Sequence, residues 1–186
     1  YVREEMPSML PGALQDGHFD LIMSLLPVKS AELIDEPLFR EPLSLAVNNN
    51  HRLAAHGRVR REDLAQVDVL ALGKGHQLHD AVLALCDEFG ARLRFDYEGT
   101  SLDTLREMVA MGLGVTFLPG LYVKTMLTRD QAINIVELEG RSIYRTVGLI
   151  WRRTSARQES YQSLAKLLRL QIQEHFPEFS VLGHAN

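Results

Sequence analysis

Residues 99–119 limit what this chain can fold into more than any other stretch. Thr100 or Ser101 supplies a helix N-cap, and Thr100 with Asp103 has capping-box spacing. Leu102, Leu105 and Val109, joined by Met108 and Met111, recur at helical spacing and predict one buried stripe. Gly112 or Gly114 supplies the left-handed residue that stops the helix. Residues 115–118 then read as a short strand, which Pro119 ends. The helix start leaves backbone N–H groups beside two hydroxyls, an end that suits an anion or a polar ligand. Most capped helices bind nothing, so plain capping is the default for Thr100 and Ser101.

Strand and helix signals alternate along the remainder. Residues 1–5 read as a strand, 7–17 as a short helix, and 19–26 as a near-continuous apolar strand covered on both faces. Residues 35–39 and 43–47 are extended, and 48–51 form a loop by composition. Residues 59–64 read as a helical turn and 67–72 as a strand. A Gly-Lys-Gly turn feeds a helix over 77–89, whose stripe is Leu78, Val82, Leu85, Cys86 and Phe89, with Gly90 as its stop. Residues 93–98 are a strand, 120–126 a short helix, and 133–138 and 145–151 strands. Ser155 caps a long helix with Tyr161, Leu164, Leu167, Leu168 and Ile172 inward. Pro177 closes it and leaves a loose tail. The alternation implies an α/β fold with mainly parallel sheets. There is no low-complexity linker, so two lobes would be joined by strands, with 43–47 and 145–151 as the crossings. Residues 1–45 with 150–186 would then form one subdomain and 46–149 the other, hinged about a ligand cleft.

Composition narrows the function. With 46% hydrophobic and 24% charged residues in 186, the chain is an ordinary soluble globular protein. A formal charge of −4 leaves no electrostatic footprint for nucleic acid, and the basic cluster Arg58, Arg60 and Arg61 reads as a solvated face. No apolar run reaches the length of a membrane span and no signal-peptide pattern opens the chain. The single cysteine, Cys86, excludes an intramolecular disulfide and fits a reducing, cytoplasmic compartment. Because the first residue is Tyr1, the chain is expected to be a fragment of a longer protein.

Six motifs in order carry a family resemblance: Asp20-Leu21-Ile22, Glu36-Pro37-Leu38, Glu41-Pro42-Leu43, Asn50-His51-Arg52-Leu53-Ala54, Thr100-Ser101-Leu102, and the run from Gly112 to Pro119. Together they resemble the effector-binding domain of LysR-type transcriptional regulators, from the first residues to about Ile172. Gly75-His76-Gln77-Leu78-His79-Asp80, followed by Cys86, is most similar to the hydrogen-peroxide-sensing branch of that family. The resemblance implies two Rossmann-like subdomains joined by two crossing strands, the type 2 periplasmic-binding-protein plan. It further implies an effector site in the cleft, a homodimer or homotetramer, and DNA contact only through a winged helix-turn-helix absent from this chain. The family's first strand and helix, which supply part of the ligand site, are missing as well. In the peroxide-sensing branch the residue after the Gly-His pair is the peroxidatic cysteine, and here it is Gln77. The resolving cysteine has its match in Cys86. A glutamine forms no sulfenic acid, so the disulfide switch cannot close. The chain is then either a natural paralogue with another signal or a peroxide-blind variant of a true sensor.

On this resemblance Ser24, His76, Gln77, Asp80, Thr100 and Ser101 ring the effector, or former peroxide, pocket, where a neutral amide serves a small polar or anionic ligand. Ser24 reads equally as a satisfied hydroxyl near the end of its strand. His76 and His79 lack a ligand set for a metal, and a polar turn is the simpler reading. Cys86 lies on an apolar stripe and reads as a buried, inert thiol, with redox use as the alternative. Met108, Met111 and Met126 read as core. No cofactor is expected. The chain is expected to be a regulatory domain and not an enzyme, since it has no nucleophile elbow or phosphate loop. A stand-alone small-molecule-binding module is the alternative, and a hydrolase-like enzyme the weaker one.

Overall fold

The computed structural model describes residues 1–95, 101–127, 132–140 and 142–183. The chain divides into two compact units, Tyr1–Glu41 with Tyr144–Asn186, and Pro42–Ile143. The chain therefore passes between units at Glu41/Pro42 and again at Ile143/Tyr144. The sequence placed both boundaries a few residues further along.

In the first unit α1 (Leu10–Gln15) packs on β1 (Leu21–Leu26) and β8 (Tyr144–Arg152). β1 and β8 are antiparallel, with Leu21 opposite Trp151 and Leu26 opposite Thr146. β2 (Leu33–Asn48) lies next to β8 and is one 16-residue strand, where the sequence suggested two short extended pieces. The expectation of mainly parallel sheets is therefore wrong for this unit. Apolar runs do not encode strand direction, and the partner of β1 comes from more than a hundred residues away. β1 is also not covered on both faces, since Met23 is half exposed. Residues 1–5 form no strand and are mostly exposed.

α5 (Gln158–His175) closes the unit through Tyr161 and Ala165, with the Tyr161 ring 5.6 Å from Trp151. Leu164 and Leu167, expected inward, are exposed, because Ala165 and Arg169 take the inward face instead. Ser155 is not the N-cap. Arg157 is, and the Ser155 hydroxyl accepts from its backbone N–H at 3.2 Å. The tail is not loose over its described residues, up to 183: Phe176 and Phe179 stack with ring centroids 5.3 Å apart, and Phe179 stacks on Phe39 at 5.8 Å. β9 (Ser180–Val181) then pairs antiparallel with β2 at Phe39 and Arg40. Burying one such ring contributes about 1.5–3 kcal/mol, enough to fix a short tail.

In the second unit the distal half of β2 pairs antiparallel with β6 (Thr116–Pro119) and with β7 (Ile133–Leu138). β3 (Arg58–Val59) runs parallel to β7. β4 (Asp68–Val69) and β5 (Arg92–Leu93) are a parallel pair, and Val115 bridges Val69, also in parallel. α2 (Gln77–Phe89) joins β4 to β5, and α3 (Leu102–Ala110) joins β5 to Val115. α4 (Gly120–Met126) follows β6. Leu78, Val82, Leu85, Cys86 and Phe89 are buried as the α2 pattern requires, and Gly90 ends the helix at φ +66°. Leu105 and Val109 are fully buried, whereas Met111 and Met126 are exposed and do not belong to the core. Gly112, at φ +77°, is the left-handed stop of α3. Gly114 has a different reason: a Cβ there would lie 2.9 Å from the Asp68 carbonyl oxygen, so the chain approaches β4 only without one. Arg58, Arg60 and Arg61 pair with Glu137, Asp63 and Glu88. Among the described residues no helix is long and apolar enough to cross a membrane.

Candidate functional site

The direction of the parallel strands fixes where the sequence-predicted residues lie. β4 and β5 run the same way, so α2 must return from their carboxyl edge to their amino edge. Val115 runs parallel to Val69, so α3 makes the same return. The N-termini of α2 and α3 therefore both open at the carboxyl edge, where α/β sheets hold their ligands. His76, Gln77 and Asp80 sit at the first of these ends and Ser101 at the second. Thr100 lies outside the described residues.

His76 is the extended N-cap of α2 but makes no side-chain cap bond. His76 and Gln77 are half-buried and Asp80 is exposed, its carboxylate in the first turn where the helix dipole favours it. His79 turns away, with Nδ1 2.7 Å from the Leu72 carbonyl oxygen, which makes it a structural tie. Ser101 caps α3: its Oγ accepts from the Thr104 backbone N–H at 3.2 Å and lies 3.0 Å from the Thr104 hydroxyl. Ser24 belongs to the other unit, half-buried in β1 opposite Gly148.

Two polar features were not foreseen from the sequence. Tyr122 on α4 donates to Asp103 Oδ1 at 2.6 Å in the first turn of α3. Burial, then the hydrogen bond to Asp103 and its charge, push the phenol well above its ordinary range, so it remains a neutral donor. The buried Thr116 hydroxyl donates to the Leu70 carbonyl at 2.8 Å and ties β6 to the segment after β4. The partners are 19 and 46 residues apart, beyond the reach of any local pattern.

Cys86 is 3% exposed, and burial followed by the Asp87 charge raises its thiol to about 11, the opposite of an activated cysteine. Among the described residues no three His, Cys, Asp or Glu side chains converge to hold a metal. The edge thus offers imidazole, carboxamide, hydroxyl and carboxylate groups on helix ends.

Parallel strands with returning helices, in a chain that passes twice between two units, define a mixed α/β, type 2 periplasmic-binding-protein-like fold. The chain belongs to the LysR substrate binding domain family, whose model matches residues 1–173. It is 36% identical over 178 residues to the DNA-binding transcriptional dual regulator OxyR of Escherichia coli (strain K12), covering 95% of this chain and 57% of that protein. The chain thus spans little more than half the length of that curated relative. It superimposes on the oxidized form of OxyR with a TM-score of 0.82 at 35% identity, over 95% of this chain and 82% of that one. Against the reduced OxyR regulatory domain from Pseudomonas aeruginosa the TM-score is 0.79 at 32% identity, over 91% and 82%. This is an OxyR-like regulatory domain of the LysR type.

Proposed function

We propose that this domain is the signal-receiving part of a cytoplasmic transcription regulator. It acts as a homodimer or homotetramer and reaches DNA only through a separate N-terminal winged helix-turn-helix. The observation that carries the reading is the pair of helix N-termini on one carboxyl edge, with Gln77 standing where the resemblance puts the peroxidatic cysteine. The relatives are named as hydrogen peroxide-inducible genes activators. Here the carboxamide replaces thiol chemistry with reversible binding, and a small polar or anionic effector is held by His76, Gln77, Asp80, Thr100 and Ser101 of the second unit. Cys86, at the resolving position of the resemblance, serves as core. The effector works through its different affinity for two subunit arrangements, which requires no catalytic step.

Two measurements test this. Peroxide should leave the oligomer's scattering profile unchanged, and a reversible shift that depends on Cys86 would overturn the reading. A thermal-shift screen of small polar and anionic compounds should find a stabilising ligand whose effect is lost in Thr100→Val and Gln77→Ala. A ligand indifferent to Thr100, Ser101 and Gln77 would move the site elsewhere.

A further inference from the structure

The first unit carries a second, chemically different concavity. A groove of about 490 Å³ runs along α5 beside β2 and the residue after Leu182. Its volume falls within the range of small-molecule sites, roughly 300–1,000 Å³. On α5 it is lined by Gln162, Lys166, Arg169, Leu170 and Gln173, which share one face at helical spacing.

The floor is a buried ion pair. Arg169 Nη2 bonds Glu36, whose side chain is 3% exposed, and Arg169 Nε donates to the Pro37 carbonyl oxygen at 3.2 Å. Nη2 also bonds that carbonyl. These bonds use Nε and Nη2 and leave Nη1, on a side chain that lines the groove, with its two N–H donors. Glu36 neutralises the charge of Arg169, which leaves Lys166 as the net cation. Lys166 and the carboxamides of Gln162 and Gln173 have no hydrogen-bond or ion-pair partner among the described residues. Leu170, 62% exposed, supplies the apolar part of the lining.

We propose that this groove binds a small organic monocarboxylate, its head between Lys166 and the free edge of Arg169 and its apolar body along Leu170. One net positive charge matches one negative charge. A phosphate dianion would face the buried Glu36 carboxylate with only Lys166 to offset it, and an ammonium would meet Lys166 as a like charge. The opposite wall is open at Gly183, where an added Cβ would meet no atom within 4 Å. A larger residue there adds bulk at the groove wall without a clash.

The test titrates this chain with sodium hexanoate, hexylammonium chloride and inorganic phosphate, followed by backbone amide shifts. Hexanoate should give saturable shifts on α5 and at Gly183, and the other two none. Lys166→Met and Gly183→Leu should each weaken hexanoate by about tenfold or more, the loss of one charge-assisted contact or of the space itself. Gln77→Ala should leave hexanoate binding unchanged, which separates this groove from the α2–α3 edge. Non-saturable hexanoate shifts, equal binding of phosphate or hexylammonium, or affinity retained in both groove variants would overturn the proposal.

Discussion

Cys86 gives the sharpest quantitative consequence of the structure. Its thiol, at about 11, is thiolate in roughly one molecule in 10⁴ at pH 7, against about 1% for an unperturbed cysteine near 9. Native Cys86 should therefore react with iodoacetamide about 100-fold more slowly than a free thiol, before its burial slows access further. The same group makes stability depend on pH. Between about 9 and 11 the unfolded chain releases the thiol proton and the folded chain keeps it, so stability falls as pH rises through that window. The two-unit shift corresponds to about 2–3 kcal/mol. Urea unfolding on either side of the window should show the loss in the wild type, and Cys86→Ala should abolish its Cys86 component. The geometry extends the argument to Gln77→Cys. Residues 77 and 86 are nine positions apart on one continuous helix, about 14 Å along its axis. A disulfide needs Cα atoms within roughly 7 Å. Peroxide should therefore leave a sulfenic acid at position 77, unless α2 unwinds. Native alkylation of Cys86 at the free-thiol rate, or a 77–86 disulfide with α2 still helical by hydrogen exchange, would refute the reasoning.

Two further predictions concern the first unit. Arg145 Nε donates to Glu41 Oε1 at 2.6 Å, and the Glu41 side chain is 1% exposed. Arg145→Met should cost about 3–5 kcal/mol in chemical denaturation, with Glu41→Gln in the same chain recovering part of it, and a loss under about 1 kcal/mol would contradict this. At Gly148 a Cβ would fall 2.4 Å from Leu26 Cδ1 and 2.6 Å from the Glu36 carbonyl oxygen. Gly148→Ala should destabilise by about 1–3 kcal/mol, while Gly183→Ala, with open space around it, stays within about 0.5 kcal/mol.

What the sequence determined by itself is what near neighbours control. α2 begins and ends where its stripe and Gly90 put it, and Ser101, one of the two caps foreseen, does cap α3. Gly112 stops α3, and the α/β class follows from the alternation. Each depends on residues within a turn or two, so periodicity and capping chemistry suffice. The candidate residues at the α2 and α3 ends were legible for the same reason, as motif positions on predicted helix starts. Tertiary structure alone decided which strands pair antiparallel and that β2 runs unbroken through Pro37 and Pro42. It also decided that Arg169 reaches Glu36 across 133 residues and that three phenylalanine rings hold the tail. Leu164 and Leu167 lost the inward face of α5 to Tyr161, Ala165 and Arg169, because what counts as inward depends on the Trp151 ring that Tyr161 meets and the buried carboxylate that Arg169 meets. Those contacts join groups with no local signal for one another, and only a folded chain brings them within bonding distance.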